Sequence, residues 1–217
     1  MASLEQGRGG GFEILRRFAK ARPEVERCDL CGLEIGPRHD HLIDPAQRRL
    51  ACACGACAVL FSAQEGTRYK RVPREVLALD QLTISDAQWE ALRLPIDLAF
   101  FYHSTPQGRV VACYPSPAGA TESLLELETW EEIQREHPVL ADLQPDVQAL
   151  LVNRVRRGSD RAAACFLVPI DQCFRLVGII RMHWKGFTGG AAVWEEIDRF
   201  FEELGQHARP PKAGLRA

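Results

Sequence analysis

The chain has 217 residues, of which 46% are hydrophobic and 26% charged, and its formal net charge is −2. These values are typical of a globular protein with one substantial domain and room for a small attached module, and they exclude extensive disorder. The small net charge also excludes a global field that would attract nucleic acid or an anionic membrane. Every apolar run is shorter than the roughly 18 residues of a membrane span, and the charged, glycine-rich start is unlike a signal peptide. We therefore expect a cytoplasmic protein with no membrane span and no nucleic-acid partner.

In chain order, the first predicted element is a short amphipathic helix over residues 12–20, which Pro23 ends. The next segment, residues 28–57, holds five of the eight cysteines. In a reducing compartment such clustering is typical of metal ligation rather than of a disulfide framework.

The cysteines of this segment include two Cys-x-x-Cys pairs, Cys28–Cys31 and Cys54–Cys57, separated by 22 residues. Each pair lets two thiolates approach one ion, and two pairs complete a tetrahedral site. We predict a structural zinc ion bound by these four cysteines in a module over residues 27–62, because a segment this short lacks an adequate hydrophobic core. Iron, as in rubredoxin or an iron–sulfur cluster, uses the same ligands and remains the alternative.

Three further residues of this segment can coordinate a metal, and they leave the ligand set open. Cys52 can replace a member of the second pair, and His41 can replace a thiolate to give three sulfurs and one imidazole. We otherwise expect His39 and His41 to cap loops or lie at the surface.

A basic stretch, residues 68–74, follows the cysteines and predicts a solvated linker or docking surface. Ser85 is a suitable N-cap for a helix over residues 86–92. From residue 96 the apolar residues recur at every second position, which predicts a β-hairpin formed by residues 96–102 and 110–114.

The segment 115–120 is rich in proline and glycine, which predicts a rigid connection to a helix over residues 121–136 that Thr121 caps. A loop that grips a partner is the alternative for this segment. Helical spacing of apolar residues predicts another helix over residues 147–155. Alternation of apolar and polar residues predicts a second hairpin over residues 165–184. We expect Cys165 and Cys173 of this hairpin, and Cys113 of the first, to be small buried side chains.

The strongest amphipathic pattern in the chain, residues 193–204, predicts a helix that begins near Gly189-Gly190. Together the elements predict an α+β fold: a zinc-ribbon-like module, then an antiparallel sheet covered by helices on one face. We expect an N-terminal helix and flexible start over residues 1–26, the α+β domain over residues 63–205 and a disordered tail over residues 206–217.

Motifs for phosphate binding, dinucleotide binding, serine hydrolysis and zinc proteolysis are all missing from the sequence. The paired glutamates of the predicted helices lie on faces where solvation explains them. The sequence leaves an enzymatic role open and favours a non-catalytic protein.

Several stretches also form a recognisable combination: Cys28-Asp-Leu-Cys31, His41-Leu-Ile-Asp44, Leu50-Ala-Cys52-Ala-Cys54-Gly-Ala-Cys57, Tyr114-Pro-Ser-Pro-Ala-Gly-Ala-Thr-Glu-Ser123, Val168-Pro-Ile-Asp171 and Gly189-Gly-x-x-Val-Trp194. The combination resembles an uncharacterised bacterial protein family whose genes lie beside those of uptake NiFe hydrogenases and their accessory factors. The resemblance implies a protein partner, a hydrogenase subunit or maturation factor, and no catalytic residue. The expected function is a non-catalytic metal-binding accessory protein; the alternative is an iron-containing electron carrier that serves the hydrogenase.

Overall fold

The structure is a computed structural model, and it describes residues 25–63, 66–123, 127–155, 163–186 and 189–211. The helix predicted over residues 12–20 lies outside this range. The fold is α+β with antiparallel sheets, and the predicted fold class is confirmed. Across the described residues, no helix is both long and apolar enough to traverse a bilayer.

The cysteine-rich segment, residues 28–57, contributes two of the three strands of a small sheet. Its strand order is β2 (Arg49–Ala53), β1 (Asp40–Asp44), β3 (Lys70–Arg71), and helix α1 (Gly55–Leu60) follows β2. The central strand β1 separates two cores, because Leu42 packs with the cysteines whereas Ile43 packs into the core of the larger sheet. Alternate side chains of a strand point to opposite faces, so β1 attaches the small sheet to the rest of the fold.

The larger sheet has six antiparallel strands in the order β4-β9-β8-β5-β6-β7. Their bounds are β4 (Leu77–Ala78), β5 (Leu98–Ser104), β6 (Arg109–Ser116), β7 (Gly119–Ser123), β8 (Gln148–Asn153) and β9 (Ala164–Pro169). The helices around this sheet are α2 (Asp86–Ala91), α3 (Leu127–Glu136), a 3-10 helix (Pro138–Asp142), α4 (Ile170–His183) and α5 (Gly190–His207).

Helices cover both faces of this sheet, so the prediction that they cover one face was wrong. In β5, Phe100 belongs to the core formed with α4 and α5. Its neighbour Phe101 belongs to the opposite core, where it stacks on Trp130 of α3. Consecutive residues of the central strands are therefore buried, which explains why those strands are almost wholly apolar.

Three predicted elements are confirmed. Ser85 caps α2 through a capping box with Gln88. Strands β5 and β6 form the first hairpin. Helix α5 begins at Gly190 and ends at His207, and its five buried residues are at helical spacing.

The segment 115–120 was wrongly predicted to be a connection to a helix. Strands β6 and β7 pair through it, with Ser116 opposite Gly119, and Thr121 lies inside β7 instead of capping a helix. Ser116 donates a hydrogen bond of 2.9 Å to the carbonyl of Gly119, which closes the turn. The helix predicted over residues 121–136 is therefore shorter in the structure, where α3 begins at Leu127.

Residues 147–155 were wrongly predicted to be helical, since they contain β8. This strand lies between β5 and β9, and all but one of its residues are buried. A strand covered on both faces is a continuous apolar run, and such a run contains helical spacings by coincidence.

The second hairpin was also wrongly predicted, because only residues up to Pro169 are a strand and α4 follows. The buried residues of α4 recur at helical spacing: Ile170, Cys173, Leu176, Val177 and Ile180. A strand would place Met182 on the same face as Leu176 and Ile180, but Met182 is 73% exposed whereas those two residues are buried. Beyond α5, Arg209 pairs with Leu77, so residues up to 209 are held against the sheet.

The basic stretch 68–74 is paired with carboxylates rather than simply solvated. Its four cations each contact a buried aspartate: Arg68 with Asp44, Lys70 with Asp146, and Arg71 and Arg74 with Asp40. Since Asp146 belongs to the larger sheet's side of the molecule, the stretch helps to join the two sheets.

Candidate metal centre

The first Cys-x-x-Cys pair lies in a tight turn. The backbone N–H of Cys28 donates to the carbonyl of Leu33, and that of Gly32 donates to the carbonyl of Cys28, both at 2.8 Å. Gly32 has φ of 74°, a conformation that glycine adopts without steric cost. The turn therefore places the sulfurs of Cys28 and Cys31 on one side.

The second pair begins helix α1. Cys54 is the N-cap, and its Sγ accepts a hydrogen bond of 3.5 Å from the backbone N–H of Cys57. Asp29, inside the first pair, holds the chain just before the second pair. Its carboxylate accepts a hydrogen bond of 2.7 Å from the N–H of Cys52. The turn of the first pair and the helix start of the second therefore direct the sulfurs of both pairs toward one point.

The four sulfurs of Cys28, Cys31, Cys54 and Cys57 all lie within 4.8 Å of one another, and none of these cysteines forms a disulfide. The sulfurs of Cys31 and Cys54 are 3.7 Å apart. A tetrahedral ion with metal–sulfur bonds of about 2.3 Å requires sulfurs about 3.8 Å apart. The donor set therefore fits a metal ion bound by four thiolates.

The pKa values of the cysteines in this cluster differ widely. Burial raises the pKa of Cys28, but backbone hydrogen bonds outweigh this effect and lower the pKa to about 6. Burial and hydrogen bonds to the other three sulfurs raise the pKa of Cys57 to about 12. Because four thiolates so close together repel one another, the loss of all four protons would require a cation between the sulfurs.

The alternative ligands Cys52 and His41 lie outside this cluster. Together with His39 they form a second group, whose ligand atoms also lie within 4.8 Å of one another. His39 was expected at a loop or the surface; it does bond the carbonyl of Gly36, but its side chain is only 8% exposed.

One residue of this region was not identified as a site residue from the sequence. Asp171, at the start of α4, accepts a hydrogen bond of 2.7 Å from Nδ1 of His41. The two residues are 130 positions apart, so no local spacing connects them. The resemblance included the stretch that ends at Asp171, but it assigned the residue no role.

The other three cysteines are buried, as predicted. Burial raises the pKa of Cys113 and of Cys165 to about 12, and it raises that of Cys173 well above its usual value. These thiols remain protonated at neutral pH, which argues against a nucleophilic role.

A family model described as a family of unknown function, DUF5947, matches residues 27–208. The chain belongs to DUF5947. The matched range contains both groups of candidate metal ligands. The resemblance to an uncharacterised family is thereby confirmed, whereas the DUF5947 description carries no link to hydrogenases. Searches of curated proteins and of solved structures found no match.

Proposed function

We propose that this chain is a non-catalytic accessory protein that binds a structural zinc ion through Cys28, Cys31, Cys54 and Cys57 and acts by binding another protein. The proposal includes a metal module over residues 27–62 attached to the α+β domain over residues 63–205, working in the cytoplasm. Four thiolates with no open coordination position are typical of structural rather than catalytic zinc.

A structural role also follows from how little else holds the cysteine-rich segment together. The buried core around the cluster consists of Cys28, Cys54 and Cys57 with Leu42, Ala53 and Ala58, and only three partly buried apolar side chains pack against it: Leu30, Ile35 and Tyr69. Burial of so few apolar side chains stabilises a segment of this size weakly, whereas a structural zinc ion contributes on the order of 10 kcal/mol. The ion would therefore provide most of the stability of this segment.

The observation that carries the protein-binding role is the apolar surface at the end of α1. The consecutive residues Val59, Leu60 and Phe61 are 57%, 67% and 38% exposed. Large apolar side chains grouped on a surface mark interaction sites more often than single ones do. Since α1 begins at the ligand Cys54, the metal ion would fix the position of this surface.

The partner that we propose is a NiFe-hydrogenase subunit or a maturation factor, and this part rests on the family resemblance alone. The tagged full-length chain, expressed in its native host, is expected to recover hydrogenase components. Leu60→Ser should reduce that recovery about tenfold, because one well-buried interface leucine contributes roughly 1–2 kcal/mol. The matched control is Met182→Ser, which removes an equally exposed apolar side chain from α4 and should leave recovery unchanged.

Two results would count against this partner. One is a wild-type chain that recovers no hydrogenase subunit or maturation protein. The other is a Leu60→Ser chain that retains its zinc and recovers the same amounts as the wild type.

An iron-containing electron carrier is the second candidate, and the exposure of Cys31 favours it. The other three ligands are buried, so the metal would approach the surface at Cys31, as electron transfer to a partner requires. We expect the protein, purified without oxygen, to be colourless and to contain zinc at the four-thiolate site. A red or brown protein with iron in that site would make the electron carrier the preferred function.

A further inference from the structure

Pairing of β1 with β2 places three metal-ligand side chains together, apart from the four-thiolate cluster. His41 of β1 is directly opposite Cys52 of β2 in the antiparallel register. His39 precedes β1 and is two residues from His41, so in an extended chain both side chains are on the same side. One nitrogen of each ring and the sulfur of Cys52 lie within 4.8 Å of one another.

Hydrogen bonds hold both imidazole rings in one orientation. Nδ1 of His39 is 2.9 Å from the carbonyl of Gly36 and 3.3 Å from a carboxylate oxygen of Glu26. Nδ1 of His41 is 2.7 Å from the carboxylate of Asp171. Because all three partners accept hydrogen bonds, each Nδ1 carries a proton and donates. The lone pair on Nε2 of each ring is then free to bind a metal.

The Nε2 atom of His39 has no hydrogen-bond partner among the described residues, although it is buried. The whole side chain is only 8% exposed. A buried ring nitrogen without a partner costs on the order of 1–3 kcal/mol, and a histidine that serves packing alone normally has one. A ligand beside Nε2 of His39 would satisfy this atom.

We propose that His39, His41 and Cys52 bind a second transition-metal ion of the zinc class. Two imidazoles and a thiolate suit zinc better than magnesium or calcium, which take oxygen ligands. The contact between Asp171 and His41 is the carboxylate–histidine arrangement that commonly supports such ligands.

The second site is open, unlike the four-thiolate cluster. Its two histidines line a cleft of about 380 Å³, to which Arg38, Arg74 and Gln172 also contribute. The ligand group within the described residues contains three side chains, so the fourth coordination position is left to water or a small anion from the cleft. The proposal is independent of the proposed function, because the two groups share no ligand.

The number of metal ions bound tests the proposal. The full-length chain, saturated with zinc and titrated against a chromophoric chelator, should bind two ions, of which the three-ligand ion is the weaker. His39→Gln and Cys52→Ser should each bind one ion. The matched control His183→Gln changes a histidine at the end of α4, outside both groups, and should bind two. Retention of the four-thiolate ion shows that a variant is folded.

A variant of a non-ligand covers the case in which a ligand variant fails to fold. Asp171→Asn keeps both histidines and the cysteine but weakens the support of His41, so it should lower the affinity for the second ion about 10–100-fold. A wild-type chain that binds one ion at saturation would overturn the proposal. The proposal would also be overturned if Asp171→Asn kept the wild-type affinity for the second ion and Cys52→Ser still bound two ions.

Discussion

Replacing Cys28 with serine is expected to release the four-thiolate ion and unfold the cysteine-rich segment. A structural zinc ion contributes on the order of 10 kcal/mol to such a segment, and removal of one of four thiolates forfeits most of it. The segment has few apolar contacts to replace that contribution. Metal analysis should show the loss of one zinc ion, and the backbone amides of residues 27–62 should lose their protection from hydrogen exchange.

Cys173→Ala is the matched control, because Cys173 of α4 is fully buried in the core of the large sheet and is not a member of the four-cysteine cluster. It should keep the ion and lower the free energy of unfolding by roughly 1–2 kcal/mol, as a small truncation in a core does. Amides of α4 and α5 should stay protected in Cys28→Ser. A Cys28→Ser chain that keeps its zinc and its amide protection would refute metal ligation at this position.

Replacing Asp146 with alanine is expected to lower the free energy of unfolding by about 3 kcal/mol, and the melting temperature by roughly 6–12 °C. The carboxylate is 3% exposed and bonds Lys70 of β3 at 2.6 Å. It also accepts hydrogen bonds from the backbone N–H and the hydroxyl of Thr105, at 2.8 and 2.6 Å. Alanine would leave these donors unpaired, and its methyl group would disfavour the φ of 70° at this position.

The variant Asp146→Asn separates the contribution of the ion pair with Lys70 from those of the Thr105 hydrogen bonds and the positive φ. Asparagine tolerates a positive φ and still accepts a hydrogen bond from Thr105, so its cost should be about half that of alanine. In the Asp146→Asn background, Lys70→Met should cost less than in the wild type, because the ion pair is already broken. Equal costs of Lys70→Met in both backgrounds would show that the ion pair does not contribute to stability. Thermal unfolding of the wild type, the two single variants and the double variant supplies the comparison.

The Asp146 prediction concerns the attachment of the small sheet to the large one, and the sequence predicted that attachment only in part. The basic stretch 68–74 was recognised as a linker or docking surface. Its partners Asp40, Asp44 and Asp146 were not, because nothing in a sequence pairs a cation with a carboxylate up to 76 positions away.

Secondary structure was predictable where local interactions decide it. The capping box at Ser85 and the helical period of α5 are complete within a few residues. β8 and α4 were mispredicted because their neighbours decide their burial. Once helices cover both faces of the sheet, a central strand loses the alternation that identifies a strand. In α4, the alternation of residues 174–184 coincided with a helical pattern that includes Ile170, Cys173 and Val177.

The sequence alone predicted the four-cysteine cluster, because each Cys-x-x-Cys pair is closed by its own turn or helix start, but it left Cys52 and His41 open as alternative ligands. Tertiary structure decided that Cys52, His39 and His41 form a separate group. Strand register places His41 opposite Cys52, and the packing of α4 brings Asp171 to His41. Short-range geometry is specified by neighbouring residues, whereas register and helix docking depend on the burial of the whole core, which no local pattern contains.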